Sequence, residues 1–104
     1  MFLLQVLVTF FNQKFLVFTF QVSIMEDLDL KRQRIFGRHV KRLREEKGLS
    51  QDDIAARCRV TKGSLSVIEN GNRNFSFTTL LALAKALEVE PKMLLDIDFE
   101  LFSE

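Results

Sequence analysis

The sequence predicts an all-α fold of five helices in one modest domain, and three observations support it. Apolar residues such as Phe36 and Val40 recur at the spacing of one helix face. Residues that favour helix starts precede the apolar runs, and Gly48 and Gly71 stand where helices would end. The expected parts are an apolar extension at 1–25, a helical domain at 30–95 and a tail at 96–104.

The helices are expected to begin at residues whose side chains can accept hydrogen bonds from the first backbone amides. The first helix ends before Gly48 and has a basic outer face, on which we expect His39 to lie exposed. Ser50 with Asp53 resembles a capping box. The expected starts of the later helices are Ser50, Thr61, Ser76 and, for the short fifth helix through Leu95, Pro91.

The first 25 residues differ from the rest, since they hold seventeen apolar residues and the single charge of Lys14. Three interpretations stay open. Translation could begin at Met25, the segment could form a β-hairpin around Asn12-Gln13-Lys14, or it could cross a membrane. We do not expect a secretory signal, because the segment has neither a positively charged start nor a cleavage site with small residues.

The tail alternates apolar and acidic residues at Ile97, Asp98, Phe99, Glu100 and Leu101. This period of two predicts a short strand, or else an apolar flap over the core or over a partner subunit.

Charge is unevenly distributed, although the whole chain carries only +1. From Lys31 to Arg73 twelve Lys or Arg face five Asp or Glu, a local balance of +7. The segments before and after are acidic, at −2 and −4. A basic middle can present a positive face to phosphates. Cys58 is the only cysteine and His39 the only histidine, so we expect neither a disulfide within the chain nor a metal site.

Several motifs stand in a fixed order in residues 32–95. They are Arg44 and Gly48 before Ser50-Gln51, Ile54-Ala55, Leu65, Ile68-Glu69 and Gly71, and Leu80, Ala84 and Leu87. In this order they resemble the Cro/lambda-repressor family of helix-turn-helix proteins, also called the xenobiotic-response-element family. The resemblance implies a five-helix lambda-repressor-like DNA-binding domain whose third helix, at about Thr61–Glu69, enters the major groove.

The resemblance also implies which side chains meet DNA. The base-contacting positions would be Lys62, Gly63, Ser66 and Val67. Lysine can donate to guanine, serine can donate or accept, and valine can meet a thymine methyl. Glycine would let the backbone approach closely, or would merely weaken the helix. The phosphate-contacting positions would be Gln51, Arg59, Ser64, Asn70 and Arg73.

Two further sets have structural roles in the family. Arg44 and Glu69 would form a partly buried ion pair between the first helix and the end of the third. In the family, the dimer surface involves the fifth helix and its surroundings. The alternative for this chain is that the apolar residues of that region only cap the core. The dimer candidates here are Met93, Leu94, Ile97, Phe99 and Phe102.

Two positions depart from the family pattern. Arg59 stands where a glycine usually adopts the left-handed conformation, so we expect a strained backbone there. Phe75 replaces a common proline, so we expect a more apolar loop before the fourth helix.

The resulting interpretation is a sequence-specific, homodimeric regulator of transcription that binds double-stranded DNA in the cytoplasm. We expect no cofactor, no catalysis and no membrane partner. One alternative is an antitoxin-type interaction module that holds a protein partner through its tail. Another is a restriction–modification controller protein, which the fragment IENGNRN also resembles.

Overall fold

The computed structural model describes residues 2–102 and folds them into five α-helices, with no strand in that range. Met1 and, at the end of the expected tail, Ser103 and Glu104 lie outside the described residues. The all-α fold class with five helices is confirmed. The helices are α1 (Phe2–Glu46), α2 (Gln51–Arg57), α3 (Lys62–Glu69), α4 (Phe77–Leu87) and α5 (Pro91–Leu95).

The expected capping residues form the helix ends. The side chain of Ser50 accepts from the Asp53 amide at 3.0 Å while the Asp53 carboxylate accepts from the Ser50 amide at 2.7 Å. The hydrogen bond that the Ser50 backbone amide donates to the Asp53 carboxylate lowers the pKa of Asp53. The side chain of Thr61 accepts from the Ser64 amide at the start of α3, and that of Ser76 accepts from the Thr79 amide at the start of α4. Pro91 occupies the first turn of α5.

The end of α1 is a glycine stop, as the sequence predicts. Gly48 adopts a φ of 68°, and its amide donates to the Glu45 carbonyl at 2.9 Å. The Leu49 amide reaches back to the Arg44 carbonyl at 3.1 Å. This pair of bonds is the Schellman arrangement, which turns the chain sharply into α2.

The core lies between the second half of α1 and the four shorter helices. Phe36 on α1 stacks against Phe75 in the loop before α4, with 4.7 Å between the ring centroids. The expected apolar character of that loop therefore has a packing role. The largest side chains that are fully buried are Val40, Ile54, Leu65, Leu83, Leu87 and Leu94.

The hairpin interpretation of the extension is wrong for the described residues, which form the first half of a single 45-residue helix. An isolated two-stranded hairpin leaves half of its backbone groups without partners and is marginal in stability. A helix satisfies those groups within the segment, and residues 2–36 contain neither glycine nor proline to interrupt it.

The strand interpretation of the tail is also wrong, because residues 96–100 pair with no other strand in the described chain. Phe99 instead packs partly buried against the core. The Glu100 carboxylate lies 2.9 Å from Nζ of Lys31 on α1, and the Asp98 side chain accepts from the Glu100 amide. The tail thus folds back on its own chain, which is the flap that the sequence offered as the alternative.

His39 was expected on the surface but is buried. Its Nε2 lies 2.7 Å from the Met93 carbonyl oxygen, which can only accept, so Nε2 carries the hydrogen. Its Nδ1 accepts from the Arg42 guanidinium. His39 therefore joins α1 to α5, an interaction that spacing along α1 could not reveal.

The expectation of a left-handed backbone at Arg59 is wrong as well. Within residues 2–102 the non-glycine residues with positive φ are Glu88 and Glu100. The turn between α2 and α3 is instead made through Cys58, whose backbone is extended at the end of α2. No left-handed residue is needed there, so the usual glycine is not required.

Candidate nucleic-acid interface

α3 has one side in the core and the opposite side towards solvent. Leu65, Ile68 and Glu69 are buried. On a helix of 3.6 residues per turn, the remaining positions project from the other side. They include the four positions predicted to contact bases: Lys62 and Gly63, which are exposed, and Ser66 and Val67, which are partly exposed.

The lysine at the start of this surface, Lys62, forms a salt bridge. Nζ of Lys62 lies 3.2 Å from a carboxylate oxygen of Asp52 on α2, and both side chains are more than half exposed. A solvated pair of this kind contributes about 0.2–1 kcal/mol. Lys62 can therefore leave Asp52 and bind another acceptor with little loss of free energy.

A buried carboxylate fixes α3 against the two preceding helices. Glu69 accepts two hydrogen bonds from the Arg44 guanidinium, with N–O distances of 2.7 and 3.0 Å. It accepts a third from the side-chain amide of Gln51, at 3.0 Å. Arg44 also donates to the Leu49 carbonyl, and its contact with Glu69 raises its pKa. One carboxylate thus joins α1, α2 and α3.

Backbone contact between α1 and the end of α3 depends on the absence of a side chain at Gly37. A Cβ there would overlap the carbonyl oxygen of Ile68 and lie 2.7 Å from that of Glu69. A Cβ on Gly71, whose φ is 73°, would likewise lie 2.6 Å from the Cα of Arg34. These two glycines let α3 end directly on α1, which orients its outer side.

The positions predicted to contact phosphate surround α3. Arg59 precedes the helix and is exposed, Ser64 is partly exposed in its first turn, and Asn70 and Arg73 are exposed after its end. Gln51 differs from them, because its amide nitrogen is directed to Glu69. Its predicted contact with phosphate would have to use the backbone amide or the other end of the side chain.

A family model described as helix-turn-helix matches residues 40–94, more than half of the chain. The chain belongs to the helix-turn-helix family. The match includes all of α2, α3 and α4. The family resemblance assigns α2 and α3 as the two helices of the motif, with α3 as the recognition helix. The expected resemblance to Cro/lambda-repressor proteins is confirmed.

Relatives of this helix-turn-helix protein include controllers of restriction–modification systems. The control protein C.BamHI of Bacillus amyloliquefaciens is 40% identical over 63 residues, which cover 60% of this chain and 78% of that protein. The crystal structure of the controller protein C.AhdI of Aeromonas hydrophila shares 37% identity, with a TM-score of 0.58, over 60% of this chain and 94% of that one.

A third relative has been solved with DNA. The C.Esp1396I controller protein, crystallised as a tetramer with its natural 35 base-pair operator, shares 28% identity and a TM-score of 0.59. The similarity covers 62% of this chain and 86% of that one.

The dimer candidates of this helix-turn-helix protein divide by burial. Leu94 is fully buried within the chain, so it cannot form part of a dimer surface. Phe99 and Ile97 are partly buried, whereas Met93 and Phe102 are exposed. Leu95, which the sequence interpretation omitted, is also exposed.

Proposed function

We propose that the chain is a homodimeric regulator of transcription that binds a specific double-stranded DNA sequence with α3 in the major groove. The observation that carries the proposal is the outer side of α3, where Lys62, Gly63, Ser66 and Val67 lie together opposite the core. A helix about 10–12 Å across fits the major groove, which is about 12 Å wide.

The charge distribution supports this proposal. The basic balance of +7 between Lys31 and Arg73 includes both motif helices, while the rest of the chain is acidic. Phosphate contacts supply affinity without sequence preference, and base contacts supply the preference. We assign the first role to the cationic residues around α3 and the second to its outer side.

A homodimer is proposed because one domain of this size makes few base contacts. Two domains on half-sites about 34 Å apart, one turn of DNA, read twice as many base pairs. The related C.Esp1396I protein is a tetramer on its operator, which supports assembly of several copies on one site. The protein would act in the compartment that holds the DNA, the cytoplasm.

Control of a restriction–modification system is a narrower proposal, favoured by the similarity to C.BamHI, C.AhdI and C.Esp1396I. It requires a binding site in front of genes for a nuclease and a methyltransferase. A preferred sequence that lies only in front of unrelated genes would contradict this narrower proposal and leave DNA binding intact.

Selection from random DNA by the purified full chain, followed by a salt titration, tests DNA binding. Lys62→Ala should relax the preference at one position of each half-site, a loss of about 1–3 kcal/mol of discrimination. Arg73→Ala should weaken every sequence alike and flatten the slope of log K against log salt by about one unit.

Lys92→Ala on α5 is the matched control, since it removes an exposed lysine from an element without predicted DNA contacts. It should leave both the sequence preference and the salt slope unchanged. Selection that recovers no common sequence, or a Lys62→Ala variant with the preference of the original chain, would contradict the proposal.

A further inference from the structure

The first half of α1 has large apolar side chains on every side, and one side also carries polar residues. Thirteen large apolar side chains between Leu3 and Ile24 are exposed. Phe11, Leu16 and Val17 project in directions roughly 120° apart, because successive residues turn by about 100°. A helix that is apolar all round belongs in a protein core or in a bilayer, and none of this segment is covered by the rest of the described chain.

We propose that residues 2–24 insert across a lipid bilayer and anchor the helix-turn-helix domain to a membrane. At about 1.5 Å per residue this segment is roughly 34 Å long, close to the ~30 Å thickness of the hydrocarbon layer. α1 is the helix of the described chain that is long and apolar enough to span a membrane. Membrane insertion is one of the three interpretations that the sequence left open for this segment, and it departs from the expectation of no membrane partner.

Both threonine hydroxyls of the segment are satisfied without water. The Thr9 hydroxyl donates to the Gln5 carbonyl at 3.0 Å, and the Thr19 hydroxyl donates to the Phe15 carbonyl at 2.9 Å. Hydroxyls bonded to their own helix remain satisfied in hydrocarbon. Gln5, Thr9 and Asn12 project from one side, where a second anchor helix of the dimer can receive them.

Lys14 is the one charge in the segment, and its Nζ lies 4.5 Å from the centre of the Phe10 ring. On insertion scales a central lysine raises the free energy of insertion by about 2.5–3.5 kcal/mol. About five to ten apolar residues offset this cost. Fifteen Leu, Ile, Val or Phe residues are present in residues 2–24. The balance for the lysine therefore favours insertion.

The flanking charges give the orientation. The segment itself has only the charge of Lys14, whereas four cationic residues follow it closely, namely Lys31, Arg32, Arg34 and Arg38. Positive flanks stay on the cytoplasmic side, and acidic residues affect orientation little. The helix-turn-helix domain would therefore face the DNA. About twelve helical residues separate Ile24 from Phe36 in the core, a stalk of roughly 18 Å.

A second copy in water is the rival occupant of this apolar segment. Two helices that are apolar on all sides bury only the sides that face each other, so a dimer in water would still expose large apolar side chains. The bilayer covers every side at once. The segment's all-round apolarity thus selects lipid over a second copy alone.

The test is flotation of the full chain, synthesised in the presence of vesicles of phosphatidylethanolamine and phosphatidylglycerol and washed with alkaline carbonate. The original chain should float with the vesicles. Lys14→Leu, which removes the charge, should float at least as completely. The double variant Phe11→Lys/Leu16→Lys places three lysines on different sides of the helix and should stay at the bottom of the gradient.

DNA binding by the same variants separates this proposal from the proposed function, since the double variant should still bind the selected DNA sequence. Three outcomes overturn the anchor. The first is an original chain that floats no better than the double variant, and the second is a soluble oligomer crosslinked through the segment. The third is protein isolated from its cells that begins at Met25.

Discussion

A buried carboxylate loses its hydration on folding, which costs free energy unless hydrogen bonds replace the lost water. Glu69 receives three such bonds, two from Arg44 and one from Gln51. Its position is thereby fixed relative to two other helices. Because Glu69 is the last residue of α3, this fixes the recognition helix as well.

Glu69→Gln should therefore destabilise the fold strongly. It removes the negative charge but keeps the size, so the buried Arg44 guanidinium loses its counter-charge. We expect a loss of about 3 kcal/mol, at the low end for buried pairs because the edge of Arg44 reaches solvent. Urea unfolding followed by circular dichroism measures it. Lys62→Ala is the control, since it breaks an exposed pair worth under about 1 kcal/mol. Equal losses in the two variants would contradict the assigned role.

Sequence reasoning expected the Arg44–Glu69 ion pair through the family resemblance, but it did not anticipate Gln51 as the third member. It also missed the burial of His39, whose partner carbonyl at Met93 lies 54 residues further along the chain. Periodicity within one helix identifies the side that packs on the nearest core. It does not identify a contact with a short helix that arrives later in the sequence.

At the scale of elements, the ends of the helices were the most predictable features. The side chains of Ser50, Thr61 and Ser76 each accept a hydrogen bond from the amide three residues later. Such bonds are local, so the residue types alone indicate them. The strand interpretations of the extension and the tail were wrong because aromatic and β-branched residues favour strands only where another strand is available for pairing. For residues 2–24 and 96–100 no partner strand exists in the described chain.

The close contact between α1 and the end of α3 leads to a prediction about two glycines. Gly37→Ala should destabilise the protein by 1 kcal/mol or more, about the lower limit for overpacking, because the new Cβ meets backbone carbonyls that cannot rotate away. Gly63→Ala meets nothing within 4 Å and should stabilise α3 by about 0.5–1 kcal/mol. Thermal unfolding of both variants measures the difference.

The same pair of variants separates folding from DNA recognition. If the backbone at Gly63 approaches the bases, Gly63→Ala should raise the melting temperature and weaken binding to the selected DNA sequence. Unchanged DNA affinity would show that this glycine only weakens the helix. A Gly37→Ala variant as stable as the original chain would contradict the close contact between α1 and the end of α3.

At the scale of the whole molecule, the described chain is 69 Å long. It combines a helical domain with the apolar first half of α1, which we call the α1 arm. The domain's architecture could be predicted because most of its determinants are local or shared with the family. The dimer surface could not be predicted with the same precision, because it depends on contacts between two copies that a single chain does not contain. Leu94 illustrates the difference, because it was a candidate for the dimer surface and lies wholly inside the chain.

Exposed apolar residues at the C-terminal end are the surface on which we expect dimer formation. Met93 and Leu95 on α5 are about half exposed, and Phe102 is 100% exposed. Aromatic side chains at the centre of an interface commonly carry more than 1 kcal/mol of its binding energy. Phe102→Ser should therefore weaken the dimer at least about tenfold, which corresponds to 1.4 kcal/mol. Sedimentation in mild detergent, which keeps the α1 arm soluble, measures the dissociation constant.

Phe77→Ser is the matched control, since Phe77 is also largely exposed but begins α4. It should leave the dissociation constant unchanged. DNA binding provides a second readout, because a weaker dimer lowers the affinity for a two-half-site operator at low protein concentration while a single half-site is bound as before. If Phe77→Ser disrupts the dimer and Phe102→Ser does not, two copies associate through the start of α4, and the tail remains a flap over its own core.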